Sequence, residues 1–393
     1  MALHWPWRWG AANANPQLQQ KTAQGLVALQ FDSQARWSQG GYAGLSRQGF
    51  MRNPVAYRCV RQLAEAAAAI PWLVYEDDRE MTRHPLAELL ERPHRGADRS
   101  SFFETLYGHM LISGNAYVER LQAAGGAGEL HVLRPDRVRI VADENGWPAA
   151  LDYQAGARKR SIPLDEGRGL HLRLFHPLDD HYGFAPLEAA LMALDIHNAA
   201  GGWNKALLDN SARPSGALVY APGEGRTLSE DQFERLKTEL EEGYSGAAKA
   251  GRPLLLEGGL DWKSMGLSPL DMDFIAAKNT ASREIALAFG VPPMLLGIPG
   301  DNTYANYAEA NRAFYRLSVI PLVTRTSKAF SQWLGRSFGA AVRLEPDLDR
   351  VEGLSQEREA LWQRMAAADF LDEDEKREAV GYSPRAKPND RRP

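Results

Sequence analysis

Five side chains of metal-ligating type crowd into one short stretch: His171, His176, Asp179, Asp180 and His181. A metal-dependent nuclease or hydrolase built on His171, His176 and His181 is the enzymatic reading of these residues. Their spacing argues against it. No two of the histidines stand at the i, i+4 interval that places both rings on one helix face, and none of the intervals matches a zinc motif. A strand end followed by a polar turn accounts for the same residues.

Other candidate chemistry is weaker. The run Gly258 to Ser264, GGLDWKS, is the nearest approach to a phosphate loop, but Trp262 stands where that motif needs the glycine before the lysine. A turn leading into a strand explains it better. No G-x-S-x-G elbow occurs, and the paired carboxylates Asp77-Asp78 and Asp179-Asp180 are adjacent, so in extended segments they point apart. Cys59 is the only cysteine, which allows neither an internal disulfide nor a thiolate cluster. The expectation is a protein with no catalytic residues, no cofactor and no metal.

The elements that would position a site are more informative. Residues Phe289 to Pro321 read FGVPPMLLGIPGDNTYANYAEANRAFYRLSVIP: a helix stops at a double proline, a loop rich in Gly, Pro, Asp and Asn follows, and a second helix starts. The second helix is predicted over Tyr304 to Arg336, with a kink at Pro321. Glu309, Arg312 and Arg316 form one polar stripe opposite Phe314 and Leu322. That stripe reads either as salt bridges within or between helices, or as a sparse basic surface for weak, non-specific contact with DNA.

Composition bounds the rest. The 393 residues suggest two or three subdomains, 44% hydrophobic and 24% charged content is ordinary globular usage, and the net charge of −4 is not that of a tight nucleic-acid binder. The longest apolar run, Ala66 to Tyr75, is broken by Pro71 and is too short for a membrane span, and the tryptophan-bearing start (Trp5, Trp7, Trp9) lacks signal-peptide features, so a cytoplasmic origin is expected. Glu345 to Glu378 holds twelve acidic and five basic residues ahead of a short basic tail.

Along the chain, residues 1 to about 50 read as an arm. Asn53 caps a helix with Pro54 at its first position, and Val55, Cys59, Leu63 and Ala66 mark its apolar stripe as far as Pro71. A helix is expected over Ser101 to Leu111, and a β-rich region over Glu129 to Phe175, with a hairpin at Asp143 to Gly146. Helical signal returns from Pro186 to Asn210. Gly201-Gly202 in its middle, costing about 2 kcal/mol relative to alanines, predicts a kink or an unusually close neighbouring helix. From Ser215 to Met265 a strand, helix, strand, strand module follows. Ser229 and Gln232 form its capping box, and Phe233, Leu236 and Leu240 its helix stripe. Ser268-Pro269 with Asp271 caps the next helix, whose buried face holds Phe274, Ala281, Ile285 and Ala288.

Seven motifs in order then carry a resemblance: NPVAYRCV at 53–60, ISGNAYVER at 112–120, LRPDRVRI at 133–140, YGFAPLEAA at 182–190, RPLLLEGGLDWKSM at 252–265, FGVPPMLLG at 289–297 and NYAEANRAFYRLSVIPLV at 306–323. The chain resembles the portal proteins, or head-to-tail connectors, of tailed bacteriophages of the Hong Kong 97 type, and also those of alphaproteobacterial gene transfer agents. The resemblance implies an elongated α+β portal fold. Its parts would be an N-terminal arm (1–50), wing (51–185), stem helix 1 (186–213), clip (214–268), stem helix 2 (269–290), tunnel loop and tunnel helix (291–337), wing return (338–352), and crown with basic tail (353–393). It implies a ring, usually of twelve copies, at one capsid vertex of a virion or gene-transfer-agent particle, without a membrane. Double-stranded DNA would pass through it. Partners would be the terminase large subunit, a head-tail adaptor and the major capsid protein. Pro299, Gly300, Asp301, Asn302, Thr303, Tyr304, Arg312 and Arg316 would then line the DNA channel. The clip, with Phe233, Leu236, Leu240 and Trp262, would dock terminase and adaptor.

Overall fold

The computed structural model describes residues 41–382, apart from 78, 123–127, 166, 210–215, 221–228, 230, 233, 236, 237, 239–259, 265–273, 301–303 and 339–341. Helices and small antiparallel sheets are interleaved in it. A short helix α1 (Tyr42–Gly44) runs into a π-helical segment, Leu45–Phe50, and then into α2 (Pro54–Ala69). The Asn53 side chain caps α2 by accepting the Val55 and Ala56 N–H groups, both at 3.0 Å. The buried stripe of α2 is Ala56, Cys59, Val60, Leu63, Ala64, Ala67 and Ala68, so Ala66 lies just beside it rather than in it.

Helices α3 (Pro85–Glu91) and α4 (Arg99–Ser113) complete the first helical layer. Asp98 caps α4 through the Ser101 N–H at 2.8 Å, and Gly114, at φ 74°, ends it in the left-handed conformation that glycine adopts without steric cost. Strand β1 (Trp72–Glu76) pairs with β2 (Arg79–Glu80) and with the late strand β11 (Val342–Pro346). A second sheet runs β4-β3-β8, with β3 (Asn115–Leu121) between β4 (Glu129–Leu133) and β8 (Gly169–Arg173). A third runs β5-β6-β7, formed by Val138–Ala142, Pro148–Ala155 and Arg158–Pro163. The Asp143 to Gly146 turn joins β5 to β6 as the sequence predicts, Gly146 at φ 86° and the Asp143 carboxylate accepting the Asn145 and Trp147 N–H groups.

Strand β3 is buried on both faces, and its alternation sorts two cores. Ala116 and Val118 join the main core, with Leu106, Met110, Ile285, Val323 and Phe330. Tyr117 turns the other way, into a smaller core with Leu133, Val138, Leu151 and Ile162. On that second face Glu119, fully buried, meets the Arg160 guanidinium on β7 at 2.5 Å and ties the second sheet to the third.

After a short turn of helix, α5 (Pro186–Ala189), come α6 (Leu191–Asp209) and α7 (Phe274–Ala288), which pack together. At Gly201-Gly202, where the sequence predicts a kink or a close neighbouring helix, α6 continues without a break, and a Cβ added at either glycine would meet none of the described residues within 4 Å. Among the described residues no other helix comes close to either glycine. The reason is the packed face: α6 is buried through Ala193, Leu194, His197 and Ala200, while Gly202 lies on the exposed side. Strands β9 (Gly216–Tyr220) and β10 (Leu260–Ser264) pair antiparallel, Trp262 opposite Leu218. The capping box between them is present, Ser229 Oγ accepting the Gln232 N–H at 3.3 Å and Gln232 Oε1 accepting the Ser229 N–H at 3.0 Å. Phe233, Leu236 and Leu240, and the cap at Ser268 to Asp271, lie outside the described residues.

The last part comprises α8 (Tyr304–Phe314), a π-helical segment Tyr315–Val319, α9 (Ile320–Phe338), α10 (Ser355–Ala366) and α11 (Glu373–Ala379). Where the sequence predicts a kink at Pro321, the structure has this π segment just before the proline. Proline has no N–H and its ring crowds the carbonyl four residues back, so a wider turn just before it relieves both problems.

Candidate functional site

The histidine cluster disperses. His171 Nε2 lies 3.0 Å from Asn115 Oδ1, its ring stacks on Tyr117 at 4.6 Å, and burial lowers its pKa to about 4. His176 Nδ1 accepts the Leu178 N–H, and Asp179 Oδ1 accepts the N–H groups of His181 and Tyr182, as in a capped polar turn. The buried Nδ1 of His181 has no hydrogen-bond partner, yet no ligand set stands around it. Among the described residues no group of three His, Cys, Asp or Glu side chains is placed to hold a metal ion. Burial pushes the Cys59 thiol up to about 12, so it is no nucleophile.

The loop after α7 is more ordered in its first half than its breakers suggest. Gly290 takes φ 64° and its carbonyl accepts the Ser318 hydroxyl at 2.6 Å, linking the stop of α7 to the π segment. Pro293–Leu296 form a 3-10 turn closed by Gly297 at φ 70°. Ile298 is then buried in the main core. Arg283 of α7 donates from Nη2 to the Pro299 carbonyl at 2.5 Å. Pro299 and Gly300 are exposed, Asp301, Asn302 and Thr303 lie outside the described residues, and Tyr304 opens α8.

Beyond the loop, the polar stripe of α8 is engaged from within the chain. Arg312 pairs with Glu309 at 2.9 Å, donates to Gln356 Oε1 at 2.9 Å and stands 3.5 Å from Glu357, with Arg316 3.8 Å from the same carboxylate. Gly353 lets the approach to α10 lie on the π segment, since a Cβ there would come within 2.5 Å of the Tyr315 ring. These anchors, Arg283, Ser318 and Gly353, carry no signal in the sequence beyond the presence of glycines at 290, 300 and 353.

Three of the quoted sequence motifs meet as joints rather than as chemistry. Gly114 and Asn115 of the second motif face Gly183 of the fourth: Asn115 Oδ1 accepts the Gly183 N–H at 2.8 Å, and a Cβ on either glycine would collide with the other's backbone. Asn53 of the first motif reaches His197 at 3.1 Å and Asn198 at 3.0 Å on α6.

A family model described as phage portal protein matches residues 54–381. The chain belongs to the phage portal family. A chain in the neck of the native gene transfer agent (GTA) particle, with C12 symmetry, is 50% identical, with TM-score 0.67 over 90% of this chain and 97% of that one. A Rickettsia bellii protein is 41% identical over 347 residues, 87% of this chain and 89% of its own. The portal protein of Enterobacteria phage HK97 is 25% identical over 311 residues, 75% of this chain and 70% of its own. Among the described residues no helix is long and apolar enough to cross a membrane.

Proposed function

We propose that this portal-family protein assembles as a ring, of twelve copies by analogy with the C12 neck of the GTA particle, around a channel that admits and releases DNA at one vertex of a phage-like particle. It acts as a structural, non-enzymatic subunit of the particle neck, serving a separate packaging ATPase. The 214–268 module, with Phe233, Leu236, Leu240 and Trp262, is the surface for terminase and later for a head-tail adaptor, and the 51–185 region meets the major capsid protein. A net charge of −4 suits a passage that must not hold the polyanion moving through it.

The observation that carries this reading is the loop. Its base is fastened at Gly290 and Pro299 while Gly300 to Thr303 join that fixed base to α8. We assign Pro299, Gly300, Asp301, Asn302, Thr303 and Tyr304 to the channel surface, with Arg312 and Arg316 on the helix behind them. The metal-dependent hydrolase reading has no geometric support. Deleting Gly300 to Thr303 should leave rings intact in negative-stain images but lower the DNA content of particles. DNA-filled particles at normal yield would overturn the assignment.

A further inference from the structure

We propose that Arg283 is the positioning residue of the loop, fixing where the chain leaves the core on its way into the 300–304 stretch. The importance of that position rests on the channel reading above; the geometry does not. Arg283 is exposed on the last turns of α7, next to buried Ser282 and two residues before buried Ile285, so its backbone is rigidly held. Its guanidinium makes a charge-assisted hydrogen bond to the Pro299 carbonyl. Among the described residues no carboxylate forms an ion pair with it, so its one structural engagement there is with the loop backbone.

Two neighbours support the same role. Ile298, one residue before the tether, is buried in the core and donates its N–H to the Pro293 carbonyl at 3.2 Å, so Pro299 is held from both sides. Gly300, one residue after it, does not take a positive φ, so its backbone conformation does not call for glycine. Space does: a Cβ at 300 would land on the Arg283 guanidinium, whose atoms are the three nearest to it among the described residues. The arginine and the glycine therefore explain each other. Any side chain at 300 must displace the Arg283 guanidinium from its present seat beside Pro299.

The test is amide hydrogen exchange on assembled full-length rings. Arg283→Ala should speed exchange in the peptide spanning 298–304 by tenfold or more, with α9 peptides and ring formation unchanged. Arg283→Lys, which keeps a donor, should restore part of the protection. Gly300→Ala should reproduce Arg283→Ala, and the double variant should exchange no faster than either single one, because both break the same contact. Unchanged exchange in Arg283→Ala, or additive effects in the double variant, would overturn the proposal. DNA content of the loop-deletion particles is read separately, so a failure of the channel reading leaves the exchange result standing.

Discussion

Arg312 on α8 and Glu357 on α10 stand 3.5 Å apart, and Arg316 reaches the same carboxylate at 3.8 Å. A single acidic residue thus gathers both arginines of the stripe. Replacing both arginines with glutamate sets like charges against Glu357. The expected loss is about 1 kcal/mol, since partly exposed pairs contribute roughly 0.2–1 kcal/mol each, and it should shrink in high salt. Adding Glu357→Arg should recover most of it in thermal unfolding. If the reversed protein keeps its stability while particles lose DNA, the arginines serve DNA and not α10.

Asn115 is a larger liability. It accepts from the Gly183 N–H and, at 3.0 Å, faces His171 Nε2, while its amide donates to the Ser113 and Gly183 carbonyls. Asn115→Ala should cost about 3 kcal/mol, because buried partners left unpaired cost roughly 1–3 kcal/mol each. Chemical denaturation of the purified subunit would show it as a lower midpoint. An unchanged midpoint would mean that water replaces the amide.

Glu119 is buried and Arg160, its partner, is half exposed. Removing the arginine strands a carboxylate in the core between two sheets, a defect of about 3 kcal/mol. Arg160→Ala should therefore destabilise more than the double variant Glu119→Gln/Arg160→Ala. The reverse order would show that the pair is fully solvated in solution.

Acid should weaken the fold through two histidines. Burial lowers His171 and His109 to about 4, and neutral His109 lies within hydrogen-bond distance, 3.0 Å, of the Tyr42 hydroxyl. Their unfolded rings take up a proton near 6.5 while the folded ones do not. Stability is thus complete above that pH and falls as pH drops from about 6.5 towards 4, each ring adding a slope of at most about 1.4 kcal/mol per pH unit. His171→Asn should flatten the curve of unfolding midpoint against pH in that window, and an unchanged slope would sink the assignment.

Features that a few neighbouring residues determine were legible in the sequence. The Asn53 cap, the Asp143 to Gly146 hairpin and the Ser229-Gln232 box all close within four residues, and each is present. What joins distant segments was not legible. Gly114 against Gly183, Arg283 on Pro299 and Gly353 on Tyr315 depend on which segments meet in space, and a glycine alone does not say whether it serves a turn, a crossing or a neighbour's side chain. Gly201-Gly202 is a case in point, a pair that stands within an unbroken α6 with no described neighbour against it.

The π segment at Tyr315–Val319 has one more consequence, in the angular phase of the helix. A π turn amounts to one residue inserted into an α-helix, and one residue is about 100° of rotation. Arg312 can therefore face Glu357 while, further along, Val323, Phe330 and Leu334 stay fully buried, a pairing of directions set by the insertion. Shortening the segment by one residue would leave the buried end seated and swing the loop-bearing end to a new bearing. In this fold the aim of the loop is written as a count of residues.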